Sequence, residues 1–152
     1  MNTAAEGDFR LPDAARTTRL GAAIGQALQA GEAVCLDGPL GAGKSVLARG
    51  VVRAIAPEEP DIPSPTFTLA QAYPGRLLLI HFDLWRIKNA EEAYEIGLDE
   101  ALAHGAAVIE WAERLGHHRP PDRLDVELSI EGEARRARLT PHGAWEGRPL
   151  DL

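Results

Sequence analysis

Residues 38–45 read GPLGAGKS, which fits the pattern G-x-x-x-x-G-K-[ST]. Closely spaced glycines followed by an ammonium and a hydroxyl suit the capture of a polyphosphate. Gly41 and Gly43 permit a tight backbone path whose N–H groups converge on phosphate oxygens, and a helix beginning near Lys44 adds the positive end of its dipole. Lys44 supplies a mobile cation for the β- and γ-phosphates, and the Ser45 hydroxyl is a ligand for the magnesium that bridges them. Phosphoryl transfer at such a loop also needs an acid to complete the metal shell and order the attacking water. Two acids end apolar runs: Asp83 in LLLIHFD and Glu110 in AAVIE. A carboxylate at the end of a central strand emerges at the sheet rim, where phosphates sit. One of the two would touch the metal directly and the other through water.

These groups need a strand before the loop and a helix after it. AVCLD (33–37), short, apolar and bounded by glycine, predicts a buried strand. Leu47, Val51, Val52 and Ile55 share one face of a helix that Pro57 and Pro60 end. Upstream, Asp13 is a candidate N-cap for a helix whose Leu20, Ala23, Ile24, Ala27 and Leu28 fall on one side before Gly31. PEEPDIPSP is expected to be an exposed loop. TFTLAQAY and RLLLIHFD flank Pro74-Gly75 as a hairpin, and RLDVELSI and ARRARLT flank Glu131-Gly132-Glu133 as a second. Asn89 caps a helix that Gly97 interrupts, Asp99 to Ala103 forms another short turn, and AAVIEW (106–111) is a buried strand. The expected fold is α/β: a single-domain P-loop NTPase with a mixed sheet, parallel at its core with antiparallel hairpins, flanked by helices. One domain is expected over residues 1–152, ordered over about 11–140 between short N- and C-terminal tails.

Composition narrows the function. A net charge of −7 argues against a broad basic face for nucleic acid, so contact with RNA would come mostly through another chain. No apolar run reaches the ~18 residues of a membrane span, and residues 1–10 lack a basic start and an apolar stretch, which points to a soluble, cytoplasmic protein. Cys35 is the single cysteine and lies in an apolar run, which excludes an intramolecular disulfide or a thiolate metal cluster. His117 and His118 are adjacent and lack helical metal-pair spacing; His81 alternates with Asp83 on one strand face, placed either for packing or as a hydrogen-bond partner of the site. No N-K-x-D guanine-reading motif is present, which favours ATP. A small-molecule kinase would carry an arginine-rich lid, but Arg135, Arg136 and Arg138 alternate in a hairpin and read more simply as a solvated strand face. A nucleotide-gated binding module is the non-enzymatic alternative.

GPLGAGKS, SPTFTL (64–69), HFDLWR (81–86), EIGLDEAL (95–102) and VIEW (108–111), in this order and spacing, resemble the bacterial TsaE (formerly YjeE) family over roughly residues 11–130. The resemblance implies a small P-loop ATPase that supports formation of the threonylcarbamoyl group on adenosine 37 of tRNAs reading codons that begin with A. It implies TsaD and TsaB as partners, tRNA reached through their complex, and ATP and Mg2+ as cofactors; the transferase chemistry belongs to the partners. Carried over by position, Leu40, Gly41, Ala42, Gly43, Lys44 and Ser45 wrap the phosphates, with Lys44 also catalytic. Ser45 and Glu110 ligate magnesium, and Asp83 stands in the neighbouring catalytic shell. Ser64, Pro65 and Thr66 fall in a switch-like loop, Thr66 in reach of the γ-phosphate or its water, and Thr17 borders the adenine. Pro39, Ser45 and Trp85 depart from the family's commoner aspartate, threonine and tyrosine, and none of these changes removes an essential ligand.

Overall fold

In the computed structural model, which describes residues 2–62 and 69–152, the chain orders as strands β1 (Asn2–Ala4) and β2 (Gly7–Leu11), helix α1 (Ala14–Ala27), β3 (Ala33–Asp37), α2 (Lys44–Ile55), β4 (Ala70–Pro74) and β5 (Leu78–Asp83). Helices α3 (Glu91–Glu95) and α4 (Leu98–His104) follow, then β6 (Ala106–Glu110), β7 (Arg123–Glu131), β8 (Ala134–His142) and β9 (Pro149–Asp151).

AVCLD becomes β3 because it has an apolar residue for each face. Val34 and Leu36 enter one core with Val108 of β6, while Ala33 and Cys35 enter the other with Ala107 and Ile109. β3 pairs in parallel with β6 on one side and β7 on the other, and β6 pairs in parallel with β5. The seven-stranded order is β2-β8-β7-β3-β6-β5-β4, with antiparallel pairs at both margins. This is the expected mixed sheet. The turn at Pro74-Gly75 sits between β4 and β5, and Glu131-Gly132-Glu133 between β7 and β8. Burial of Cys35, with Asp125 adding to it, pushes its thiol up to about 12, so it stays a neutral core residue.

Helix α1 starts where Asp13 Oδ1 accepts from Arg16 N at 2.9 Å. It lies against α2 backbone to backbone: a Cβ on Gly21 would run into Leu47 O, and a Cβ on Gly50 would stand 2.6 Å from Thr18 O. The helices cannot separate without opening the apolar face built from Leu20, Ile24, Leu47 and Val51. Gly50→Ala is therefore expected to cost about 2 kcal/mol by overpacking, read as a lower urea midpoint at unchanged slope; an unshifted midpoint would mean that α1 yields freely. On the opposite face of the sheet α4 and the 3-10 turn Ala112–Leu115 close a second, smaller core around Phe82, Leu98 and Ile109.

The expectation of tails beyond about 11–140 is corrected. β1 pairs with β9, β2 pairs with β8, and Trp145 and Leu150 are fully buried. Arg148 explains the order of the C-terminal segment: its two terminal nitrogens donate to both oxygens of Glu32 at 2.6 and 2.7 Å, and one donates to Ala27 O at the end of α1. Its guanidinium also lies 4.5 Å from the centre of the Trp145 ring. Arg148→Ala removes the counter-charge of the buried Glu32 carboxylate and leaves it only the hydrogen bond from Gln29 N, and the expected loss is about 3 kcal/mol. Chemical denaturation checks it, and a loss below about 1 kcal/mol would mean the pair behaves as an exposed one.

Candidate functional site

Strands β3, β5 and β6 run in parallel and end level, Leu36 beside Glu110 and Glu110 beside Asp83. Strand periodicity then fixes which way the polar groups point. His81 and Asp83 continue the face of Leu79, and Glu110 continues the face of Ala106 and Val108; all of these apolar residues belong to the core beneath α1 and α2. The first turn of α2, with Lys44 and Ser45, stands over the same end of the sheet. So the loop between β3 and α2 meets the two acids that emerge at the strand ends.

The loop bends through Gly41 and Gly43, both at positive φ, 84° and 104°, with Ala42 N donating to Pro39 O at 3.1 Å. Lys44 is buried; its ammonium donates to Gly38 O and, at 2.9 Å, to Pro39 O, and lies 3.9 Å from the centre of the Trp111 ring. Desolvation holds the ammonium below its ordinary pKa, and Glu113, Glu110, Asp37 and Asp83 oppose that shift. A cation stripped of water and held by weakly basic carbonyls is ready for a stronger anion. Ser45 Oγ donates to Glu110 Oε1 at 2.8 Å, and Glu110 Oε2 lies 2.6 Å from His81 Nε2. Asp83 Oδ1 accepts from Trp85 N at 3.1 Å, which steers its carboxylate at the exit of β5.

A cleft of about 410 Å³ lies among Lys44, Ser45, Asp83, Trp85, Glu110 and Trp111, with Gly41 and Gly43 in its wall and the largely exposed Leu40 at its lip. Ala42 differs from its loop neighbours: its side chain is fully buried in the core under α2, so only its backbone is turned to the loop. Trp111 is partly buried, packed against the second core on one side and lining the cleft on the other. It adopts a left-handed backbone, φ 58° and ψ 44°, directly after Glu110, and its ring packs on Trp85 with centroids 4.4 Å apart. For a bulky residue that conformation costs of order 1–2 kcal/mol, and what it achieves is a ring laid against the Lys44 ammonium.

A second cleft of about 280 Å³ opens across Gly41, Gly43 and Val46, between Thr17 on α1 and Arg135 on β8. Arg135 was read as part of a solvated strand face, and this is corrected: its Nε donates to Gly41 O at 3.0 Å. Strand parity carried the signal, because Arg135 alternates with the buried Ala137 and Leu139, whereas Arg136 and Arg138 point the other way to Glu131 and Asp8. Thr66, with Ser64 and Pro65, lies outside the described residues.

The Ser45 hydroxyl on α2 and the two strand-end carboxylates are hard oxygen ligands of the kind magnesium takes. Among the described residues no group of three or more His, Cys, Asp or Glu side chains could hold a metal ion. No helix among the described residues is long and apolar enough to cross a membrane.

The family model for "Threonylcarbamoyl adenosine biosynthesis protein TsaE" matches residues 11–138. Among characterised proteins, the chain is 37% identical over 121 residues to the tRNA threonylcarbamoyladenosine biosynthesis protein TsaE of Rickettsia felis, a match covering 79% of this chain and 71% of that one. It is 39% identical over 132 residues to the Mycobacterium tuberculosis protein of that name, covering 80% and 78%. The crystal structure of Bacillus subtilis YdiB superposes with a TM-score of 0.75 at 25% identity, over 94% of this chain and 88% of that one. The matched span runs from just ahead of α1 to β8 and so contains the loop, both strand-end acids and Arg135; by sequence and by fold, this chain belongs to the TsaE family.

Proposed function

We propose that this chain is a magnesium-dependent ATPase that supports formation of the threonylcarbamoyl group on adenosine 37 of tRNAs reading codons that begin with A, acting in the cytoplasm with TsaD and TsaB. The observation that carries the reading is the Ser45 to Glu110 hydrogen bond of 2.8 Å, which joins the phosphate loop to a strand-end acid beside a buried lysine. The relatives' names supply the pathway. The net charge of −7 is consistent with tRNA being held by partners.

Within this reading the loop N–H groups from Leu40 to Ser45 receive the phosphates, and Lys44 exchanges its carbonyl partners for β- and γ-phosphate oxygens. Bound magnesium supplies charge compensation for the β- and γ-oxygens, held by Ser45 Oγ and Glu110. Asp83 orients a water for in-line attack on the γ-phosphorus, with the bond to the ADP oxygen breaking as the water oxygen bonds. The ribose and base run from Gly43 and Val46 into the second cleft, past Thr17 and Arg135. The family resemblance assigns the γ-phosphate or its water to Thr66.

Phosphate release by the purified chain, alone and with TsaB, TsaD and tRNA, tests the proposal. Turnover without any added acceptor, raised by the partners, is the expected result. Stoichiometric transfer of phosphate to a metabolite would replace the reading with a kinase, and nucleotide-dependent binding of the partners with no phosphate release would replace it with a binding module.

A further inference from the structure

We infer that His81 is a positioning residue that fixes the rotation of the Glu110 carboxylate, so that Oε1 stays turned to the Ser45 hydroxyl and the metal position; this rests on the magnesium-ATP reading above. Both side chains are almost completely buried. The terminal torsion of a glutamate is broad and roughly two-fold, so a strand-end carboxylate with a single partner would sample many orientations. Glu110 has two partners on opposite oxygens: Ser45 Oγ at 2.8 Å on Oε1 and His81 Nε2 at 2.6 Å on Oε2. The parallel register fixes the second partner, since His81 sits beside Val108, one same-face step below Glu110.

The other ring nitrogen identifies the donor. His81 Nδ1 is buried and has no hydrogen-bond partner among the described residues. A proton on Nδ1 would bury an unanswered N–H and set the bare Nε2 lone pair against a carboxylate oxygen. The tautomer with hydrogen on Nε2 donates to Glu110 and leaves only an acceptor unmet. A residue placed there for packing alone would fill the space with hydrocarbon and strip Oε2 of its donor. The imidazole thus does for Glu110 what outer partners commonly do for metal-binding side chains: it holds one oxygen so that the other is presented.

The test compares the affinity of the full-length chain for a non-hydrolysable ATP analogue, by calorimetry, with excess magnesium and with EDTA; the ratio of the two is the metal-linked tightening. His81→Gln carries an amide N–H to about the reach of Nε2 and is expected to keep the wild-type ratio. His81→Asn places its amide near the Nδ1 position, too short to reach Glu110, and His81→Leu carries no donor; both are expected to lower the ratio 10- to 100-fold with the EDTA affinity unchanged. If the leucine variant does not fold, the contrast between Gln and Asn decides. Asn and Leu variants with the wild-type ratio, or a Gln variant as impaired as Leu, would overturn the assignment. Glu110→Gln in the same assay separates the two levels: if it loses the tightening while His81→Asn keeps it, only the role of His81 fails. If the wild type shows no tightening, or Glu110→Gln retains it, the metal reading fails and this inference with it.

Discussion

Lys44→Ala is expected to weaken ATP binding by roughly 100-fold or more while leaving the fold intact. The ammonium makes two hydrogen bonds to loop carbonyls, and in the proposed ATP complex these would give way to charge-assisted bonds with phosphate oxygens. Hydrogen bonds to charged groups contribute about 1.5–3 kcal/mol each, so two lost contacts come to about 3 kcal/mol or more, and each 1.4 kcal/mol is a factor of about ten. Alanine leaves the backbone N–H groups of the loop facing a multivalent anion with no compensating cation. The cost to folding is small because the wild-type ammonium already bears a desolvation penalty, evident in its lowered pKa. Calorimetric titration with ATP and a thermal melt give the two readings together; binding within threefold of wild type would remove Lys44 from the phosphate site.

Glu110→Ala separates binding from turnover. Its carboxylate is the acid that touches Ser45, and without it a divalent cation beside the phosphates keeps only a neutral hydroxyl from the loop. Magnesium-dependent hydrolysis is expected to fall by about 10²–10³, comparable to removing one electrostatic stabiliser of a transition state, whereas nucleotide affinity in EDTA changes little. The substitution also leaves Nε2 of the buried His81 without a partner, so a stability loss of about 1–3 kcal/mol accompanies it. Glu110→Gln restores bulk and some hydrogen bonding, and by that contrast the loss of charge is distinguished from the loss of packing. Phosphate release at the wild-type rate by Glu110→Ala would sink the metal assignment.

Much of the fold was legible because its cues are local. The apolar spacing of α1 and α2, the length of AVCLD, the proline-glycine turn before β5 and the glycine turn before β8 each act within a few residues. β1, β2 and β9 were missed because their stability is entirely borrowed: NTA and PLD are only three residues long, and GDFRL, though as long as AVCLD, has two charges and no continuous apolar run, so none signals a strand until the register pairs Thr3 with Leu150 and Phe9 with Ala137. Trp145 and Arg148 read as irregular tail for the same reason: the partners of Arg148, Ala27 and Glu32, lie far away in sequence, and Trp145 is packed beneath its guanidinium. At the site, Lys44, Ser45, Asp83 and Glu110 were legible from residue type and position at element ends, and the structure brings the four into one cleft. The approach of Trp111 to Lys44 was not legible, because it depends on a left-handed turn taken by a residue type that rarely adopts one. Arg135 was misread although its alternation with Ala137 and Leu139 was visible in the sequence.

The pairing of β3 bears on when the glycine-rich loop gains its supporting sheet during synthesis. The strand that launches the phosphate loop takes both neighbours from downstream, β6 on one side and β7 on the other. A nascent chain that has emerged only as far as α2 holds the whole GPLGAGKS motif with no sheet beneath it and with Glu110 not yet made. Contacts of such long sequence separation form late and slowly, so a ribosome-bound fragment that stops short of β7 leaves one edge of β3 unpaired, and the sheet beneath the loop is completed only once residues 123–131 have left the exit tunnel.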